Sequence, residues 1–369
     1  MTGRHAGCGK GHPRPGSRRI LAKVPAVAAS APGRVDPQAL SRSALAKVRD
    51  EVSSQAVFVF LYMVAMQLVG YALGIMLIAV RQLPRTGGIA FDRTVASLDG
   101  SSTAELYLFS TAIAFAFMVL YRREQVADPG PYGVFRRSSR SMTAPLMLTC
   151  LLLSLGAQSL SMFYDFGLSR TVGGLRETTL NGLGASALET VGSSPASPPM
   201  LLYSCLWAPV VEETVFRGAV LGSLKRYGRG FAVVTSSFLF ALMHGSLSRS
   251  FFAFGLGLVL GFLACEHSLI WSIALHITSN LIAIFLPGLL RESLEARGLS
   301  GAGLEGGQAA FWAMIAALAA LTLLVQRRSL VAFLRSERSA PNLYASWGSY
   351  WFLFVSGIQV ALILWRLVH

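Results

Sequence analysis

Apolar residues in this chain are not spread at a helical or strand period around a polar surface. They run almost uninterrupted for lengths that match a bilayer core, and polar residues collect between the runs. The runs lie at about 54–80, 104–121, 142–163, 200–223, 231–247, 251–265, 268–287, 309–325 and 349–366. A helix crosses a membrane with about 17 to 25 such residues. The pattern therefore predicts an all-α fold, a polytopic transmembrane helical bundle of eight to nine spans with a polar intramembrane cavity. The run at 251–265 is short enough to tilt or re-enter. Two connections, 81–103 and 164–199, are too long for turns. The second carries Gly173, Gly174, Gly182, Gly184 and Pro195 and leads into the run at 200–223, so it reads either as a lid over that run or as a flexible connector. No internal repeat is visible, which weighs against an inverted-repeat transporter.

Composition agrees with the pattern. The chain has 369 residues, of which 53% are hydrophobic and 14% charged, and its mean hydropathy is +0.54. Soluble domains carry about 25% charged residues. The net charge of +14 would suit nucleic acid, but ten of the 32 Lys and Arg precede residue 50 and most others flank apolar runs. That is a topology signal rather than a nucleic-acid surface. With nine spans and a cytoplasmic N-terminus, 22 basic residues fall on the cytoplasmic side and nine on the other. Cys8, Cys150, Cys205 and Cys265 have neither disulfide nor zinc spacing. Residues 1–50, rich in Arg, Ser, Pro and Gly, read as a disordered basic tail, with an organelle transit peptide as the alternative. Residues 51–163 form the N-terminal helices, 164–287 the core and 288–369 the C-terminal helices.

Charge inside an apolar run costs roughly 2.5 to 3.5 kcal/mol per group even on insertion scales. Glu212 and Glu213 are the only acidic residues well within a run, and Arg217 is the only basic one. His244, His276 and Asn280 join them in the following runs. Glu213 and Arg217 stand at i and i+4 and share a face, which suits an ion pair. Glu212 projects about 100° away. His276 and Asn280 are again i and i+4. Pro209 withholds an N–H near Cys205, which predicts a local bend. Taken singly, each pair reads as an intrahelical bridge or as helix–helix glue. Six such groups in neighbouring runs read more economically as one site.

The set suits hydrolysis. A carboxylate in a low-dielectric cavity can take a proton from water, histidine can orient that water, and a second His with Asn can donate to an oxyanion. Glu212, His244 and His276 could equally hold a divalent metal such as zinc, although no His-Glu-x-x-His motif is present and Glu266-His267 lacks the spacing. The residues leave metal-bound and metal-free chemistry open.

Glu212-Glu213-Thr214-Val215-Phe216-Arg217 resembles the EExxxR motif of the CPBP intramembrane proteases, also called the Abi family. Phe240 to His244 is similar to the FxxxH motif of that family, and His276 to Asn280 to its HxxxN motif. The three stand in order on successive apolar runs and cover about a third of the chain. The resemblance implies a helical membrane protease that hydrolyses a membrane-associated or exported peptide or protein. By it, Glu212 would be the general base assisted by His244, Glu213 and Arg217 would shape the site, and His276 with Asn280 would form the oxyanion hole. It leaves metal dependence open, and it links members either to prenylated CAAX substrates or to bacteriocin processing and immunity. The turn Lys225 to Gly230 looks more like the bacterial branch, which places the protein in a bacterial cell membrane. The expected partners are a peptide substrate and the lipid bilayer, without nucleic acid. The competing readings are a non-catalytic immunity or scaffold protein and, behind it, an ion or proton transporter.

Overall fold

In a computed structural model, residues 39–86, 100–135, 141–171, 198–337 and 339–368 are described. Most of the basic tail and most of the two long connections lie outside them. Every described element is a helix. This is what an apolar chain requires, because a helix satisfies its backbone polar groups internally.

The principal helices are α1 (Arg42–Thr86), α2 (Gly100–Tyr121), α3 (Ala144–Thr171), a composite helix α4 over 198–224, α5 (Arg229–Met243), α6 (Leu247–Glu266), α7 (Leu269–Glu295), α8 (Gly301–Val325), α9 (Arg327–Ser336) and α10 (Tyr350–Val368). The first helix begins at Arg42, so residues 42–50 are helical and not part of a tail. Among the described residues six helices are long and apolar enough to cross a membrane: α1, α2, α3, α6, α7 and α8. The expectation of eight to nine counted three further runs. α5 and the apolar part of α10 are shorter, and α4 is interrupted. The short run at 251–265 gains its missing length from Leu247 to Ser250 and becomes the 20-residue α6.

The interruption in α4 is a change of winding. Leu202–Trp207 and Thr214–Val220 are π-helical, and between them Ala208–Glu213 is α-helical. Pro209 sits in the first turn of that α segment, where a missing N–H is tolerated. π turns are rare and concentrate at functional sites.

α4 is surrounded by α1, α2, α5, α6 and α7. One core cluster joins Val52, Phe58 and Tyr62 of α1, Met118 of α2, Val211 to Leu224 of α4, Phe231 and Phe240 of α5, and Phe352 of α10. Helices on both sides of the 164–287 stretch therefore enclose its charged segment. Small residues set the closest approaches: a Cβ on Gly156 of α3 would stand 2.4 Å from the Cβ of Ala319 on α8. At the other extreme, only 11% of the apolar window of α8 is buried, so most of that helix lies on the outside of the bundle.

Candidate functional site

The site is built on α4, α5 and α7. Gly245, at φ 67°, ends α5 in the left-handed conformation that favours glycine, and this places His244 at the helix terminus. Ser246 then caps α6, its Oγ accepting from Arg249 N at 3.4 Å.

Glu213, Arg217 and His276 are brought into direct contact. Arg217 Nη1 donates to Glu213 Oε1 at 2.8 Å, with both side chains fully buried. His276 Nδ1 donates to the same oxygen at 3.1 Å, and Ser272 Oγ donates to Oε2 at 2.5 Å. The Arg217 guanidinium lies 4.2 Å above the Phe240 ring. That stack places a cation over an aromatic face in desolvated surroundings, where the attraction is strongest.

Glu212 contrasts with its neighbour. Its side chain is 18% exposed, and among the described residues its carboxylate makes no hydrogen bond. It faces His276, Oε2 to Nε2, at 3.8 Å. That gap exceeds a direct hydrogen bond and leaves both atoms available to a third group. The phenols of Tyr62 and Tyr203 are near enough to interact electrostatically with Glu212.

His244 reaches the cluster through Phe240. Its Nδ1 lies 2.9 Å from the Phe240 carbonyl, which can only accept, so Nδ1 carries the proton and a neutral ring keeps its lone pair on Nε2. Its ring packs edge-on against Phe240 at 4.7 Å, and His276 packs against the same ring at 5.9 Å. Among the described residues His244 makes no ion pair with either glutamate.

Asn280 lies one turn beyond His276, and its Nδ2 donates to the Ser204 carbonyl at 2.8 Å. The reason is local. In π winding the carbonyl of residue i meets the N–H of i+5, as Tyr203 O does with Ala208 N. Ser204 would therefore need the N–H of residue 209, which is proline. The orphaned carbonyl is that of Ser204 and not of Cys205, because α spacing does not hold there. Asn280→Ala is expected to cost about 1–3 kcal/mol, the usual penalty for a buried acceptor left unpaired. Thermal unfolding in detergent measures it, and the loss should shrink in a Pro209→Ala background that restores the backbone donor.

Sequence reasoning passed over three contributors. Ser272 stands four residues before His276 on the same face, a spacing that could have flagged it. Phe240 was visible only as a motif letter, without its role as the ring shared by His244, His276 and Arg217. Gly257 on α6 had no local signal. A Cβ there would stand 3.0 Å from Ser237 Oγ and 3.1 Å from Arg217 Nη2. Gly257→Ala is therefore expected to push α6 away from the guanidinium and lower stability by about 1–3 kcal/mol, read as a lower unfolding temperature.

Glu212, His244 and His276 do not fit a zinc site with three protein ligands. Among the described residues no three His, Cys, Asp or Glu side chains converge to hold one ion.

Residues 194–282, which contain all six polar residues, match the family of Rce1-like type II CAAX prenyl endopeptidases. The match agrees with the CPBP resemblance of the three motifs and supports a protease. Together with the long apolar helices it marks an integral membrane protein. No curated protein and no solved structure matches the chain.

Proposed function

We propose that the protein is an intramembrane endopeptidase in which Glu212 activates water against a peptide bond of a membrane-associated substrate. The observation that carries this reading is the unequal treatment of two adjacent carboxylates. Glu213 is saturated by Arg217, Ser272 and His276, whereas Glu212 has no hydrogen-bond partner among the described residues and is partly exposed. A carboxylate that served only structure would be the saturated one.

The reaction follows from those positions. A water between Glu212 Oε2 and His276 Nε2 gives a proton to Glu212 as its oxygen bonds to the peptide carbonyl carbon. The carbonyl oxygen becomes an oxyanion, which accepts hydrogen bonds from the second N–H of the Asn280 amide and from Nε2–H of a His276 that carries a proton on both ring nitrogens, its Nδ1–H being held by Glu213. Collapse of this intermediate breaks the C–N bond, and Glu212 returns its proton to the leaving amine. His244, with its Nε2 lone pair free, orients the water. Glu213 and Arg217 hold His276 in place. In this scheme the chain's own groups carry every step, and no metal takes part.

The family match suggests a substrate cut near its C-terminus at a lipid-modified cysteine, and the positive flanks suggest a cytoplasmic N-terminus. Both belong to the proposal. The test compares membrane-associated peptide termini by mass spectrometry between cells with the intact protein and cells with Glu212→Gln. Termini that appear only with the intact protein support the reading and report the substrate class. Identical termini, with the variant retaining its cellular phenotype, would leave a non-catalytic immunity or scaffold role. In the purified system 1,10-phenanthroline should leave cleavage unchanged, and inhibition reversed by added zinc would reassign Glu212 to metal ligation.

A further inference from the structure

The hydrolytic scheme makes no use of α9. This helix reads Arg-Arg-Ser-Leu-Val-Ala-Phe-Leu-Arg-Ser, and at 100° per residue it is two-faced. Leu330, Val331, Phe333 and Leu334 form one arc. Arg328, Arg335 and Ser329 lie on the other side, whereas Arg327, at the first position of the helix, falls within the apolar arc between Leu334 and Val331. The apolar arc is largely uncovered: Val331 is 43% and Leu334 56% exposed. All three arginines are exposed, and among the described residues none forms a hydrogen bond or an ion pair.

The position of α9 identifies what covers it. α8 ends one residue earlier in exposed Leu323, Leu324 and Val325. α10 starts at exposed Tyr350 and Trp351, the amphipathic aromatics that settle at headgroup level. α9 thus connects the end of one apolar helix to an aromatic collar at the start of the next. It is also held in place. Phe333 packs edge-on against Phe262 of α6 at 5.4 Å. Glu337, the residue after α9, grips the Arg229 guanidinium through both carboxylate oxygens, and Arg229 Nη1 donates to Glu266 at 2.5 Å.

We propose that α9 lies in the plane of the membrane surface and that Arg327, Arg328 and Arg335 bind the headgroups of anionic phospholipids in the surrounding bilayer. The apolar arc enters the acyl boundary, and the guanidiniums reach along their stems to phosphate, which they can pair in bidentate fashion. Basic groups next to a span gain from an anionic leaflet. The inference is independent of the chemistry at Glu212.

The test uses the full chain in nanodiscs of mixed phosphatidylcholine and phosphatidylglycerol, with native mass spectrometry counting the lipids retained. The wild type should retain phosphatidylglycerol several-fold over phosphatidylcholine, and less so as salt rises. Replacing Arg327, Arg328 and Arg335 together by Gln should cut that preference by about half or more. A wild type without preference, or a folded variant with an undiminished one, overturns the proposal. Placement is checked separately with a fluorophore at Leu334→Cys or Ser329→Cys in a background lacking Cys8 and Cys265. Lipid-borne quenchers should reach the first and aqueous iodide the second. Equal aqueous quenching at both would mean that the arc faces water, and would overturn the in-plane placement.

Discussion

Replacing Glu212 by glutamine is expected to lower turnover by roughly 10²- to 10⁴-fold, the range that a positioned acid–base group supplies, while leaving the unfolding temperature close to that of the parent. The amide keeps the size of the side chain but cannot take the proton from water. Stability should hold because among the described residues the Glu212 carboxylate makes no hydrogen bond that the change could break. The measurement is single-turnover cleavage in proteoliposomes, with thermal unfolding on the same preparation. His244→Ala should also be severe. The double variant should be little worse than Glu212→Gln alone, since groups that act on one water do not contribute additively. Retained turnover in Glu212→Gln would remove this residue from the mechanism.

The second large effect falls on folding. Glu213→Ala leaves Arg217 fully buried without its carboxylate and strips His276 and Ser272 of their acceptor. Breaking a buried pair from one side costs about 3–5 kcal/mol, most of it the price of an uncompensated charge. The variant should unfold at markedly lower temperature or fail to accumulate in the membrane. Replacing both members together, Glu213→Leu with Arg217→Met, should recover much of the loss because no charge is then stranded. If the single change left stability untouched, the pair would have to be solvated in the native protein. Activity should not return in the double variant, since His276 has lost the acceptor that fixes its ring.

Much of this was written in local spacing, and the remainder was not. Runs of bilayer length coincide with helices because an apolar backbone has few other ways to satisfy itself. The i, i+4 rule placed Arg217 on Glu213 and Asn280 beside His276. Winding was not legible. Nothing in Leu202–Trp207 announces a π turn by composition, and so nothing local shows that the carbonyl deprived of a donor by Pro209 is that of Ser204 and not that of Cys205. Contacts between helices were equally hidden. That His276 would spend Nδ1 on Glu213 and turn Nε2 toward Glu212 depends on how α7 lies against α4, which no one-dimensional pattern encodes. The separation of His244 from the carboxylates by the Phe240 ring is of the same kind.

Ser272, His276 and Asn280 stand at i, i+4 and i+8, a single stripe along α7, and all three bind α4, at Glu213 and at the Ser204 carbonyl nine residues before it. At 1.5 Å per residue, eight residues of α7 extend over roughly 12 Å. The seam between these two helices is therefore latched at both ends. A polypeptide sliding in from the bilayer cannot part it without stranding a buried carboxylate and a carbonyl that has no backbone donor. If Glu212 is the catalytic base, its substrate must reach it by a side other than this seam. The latched seam is then the fixed jamb of that entrance.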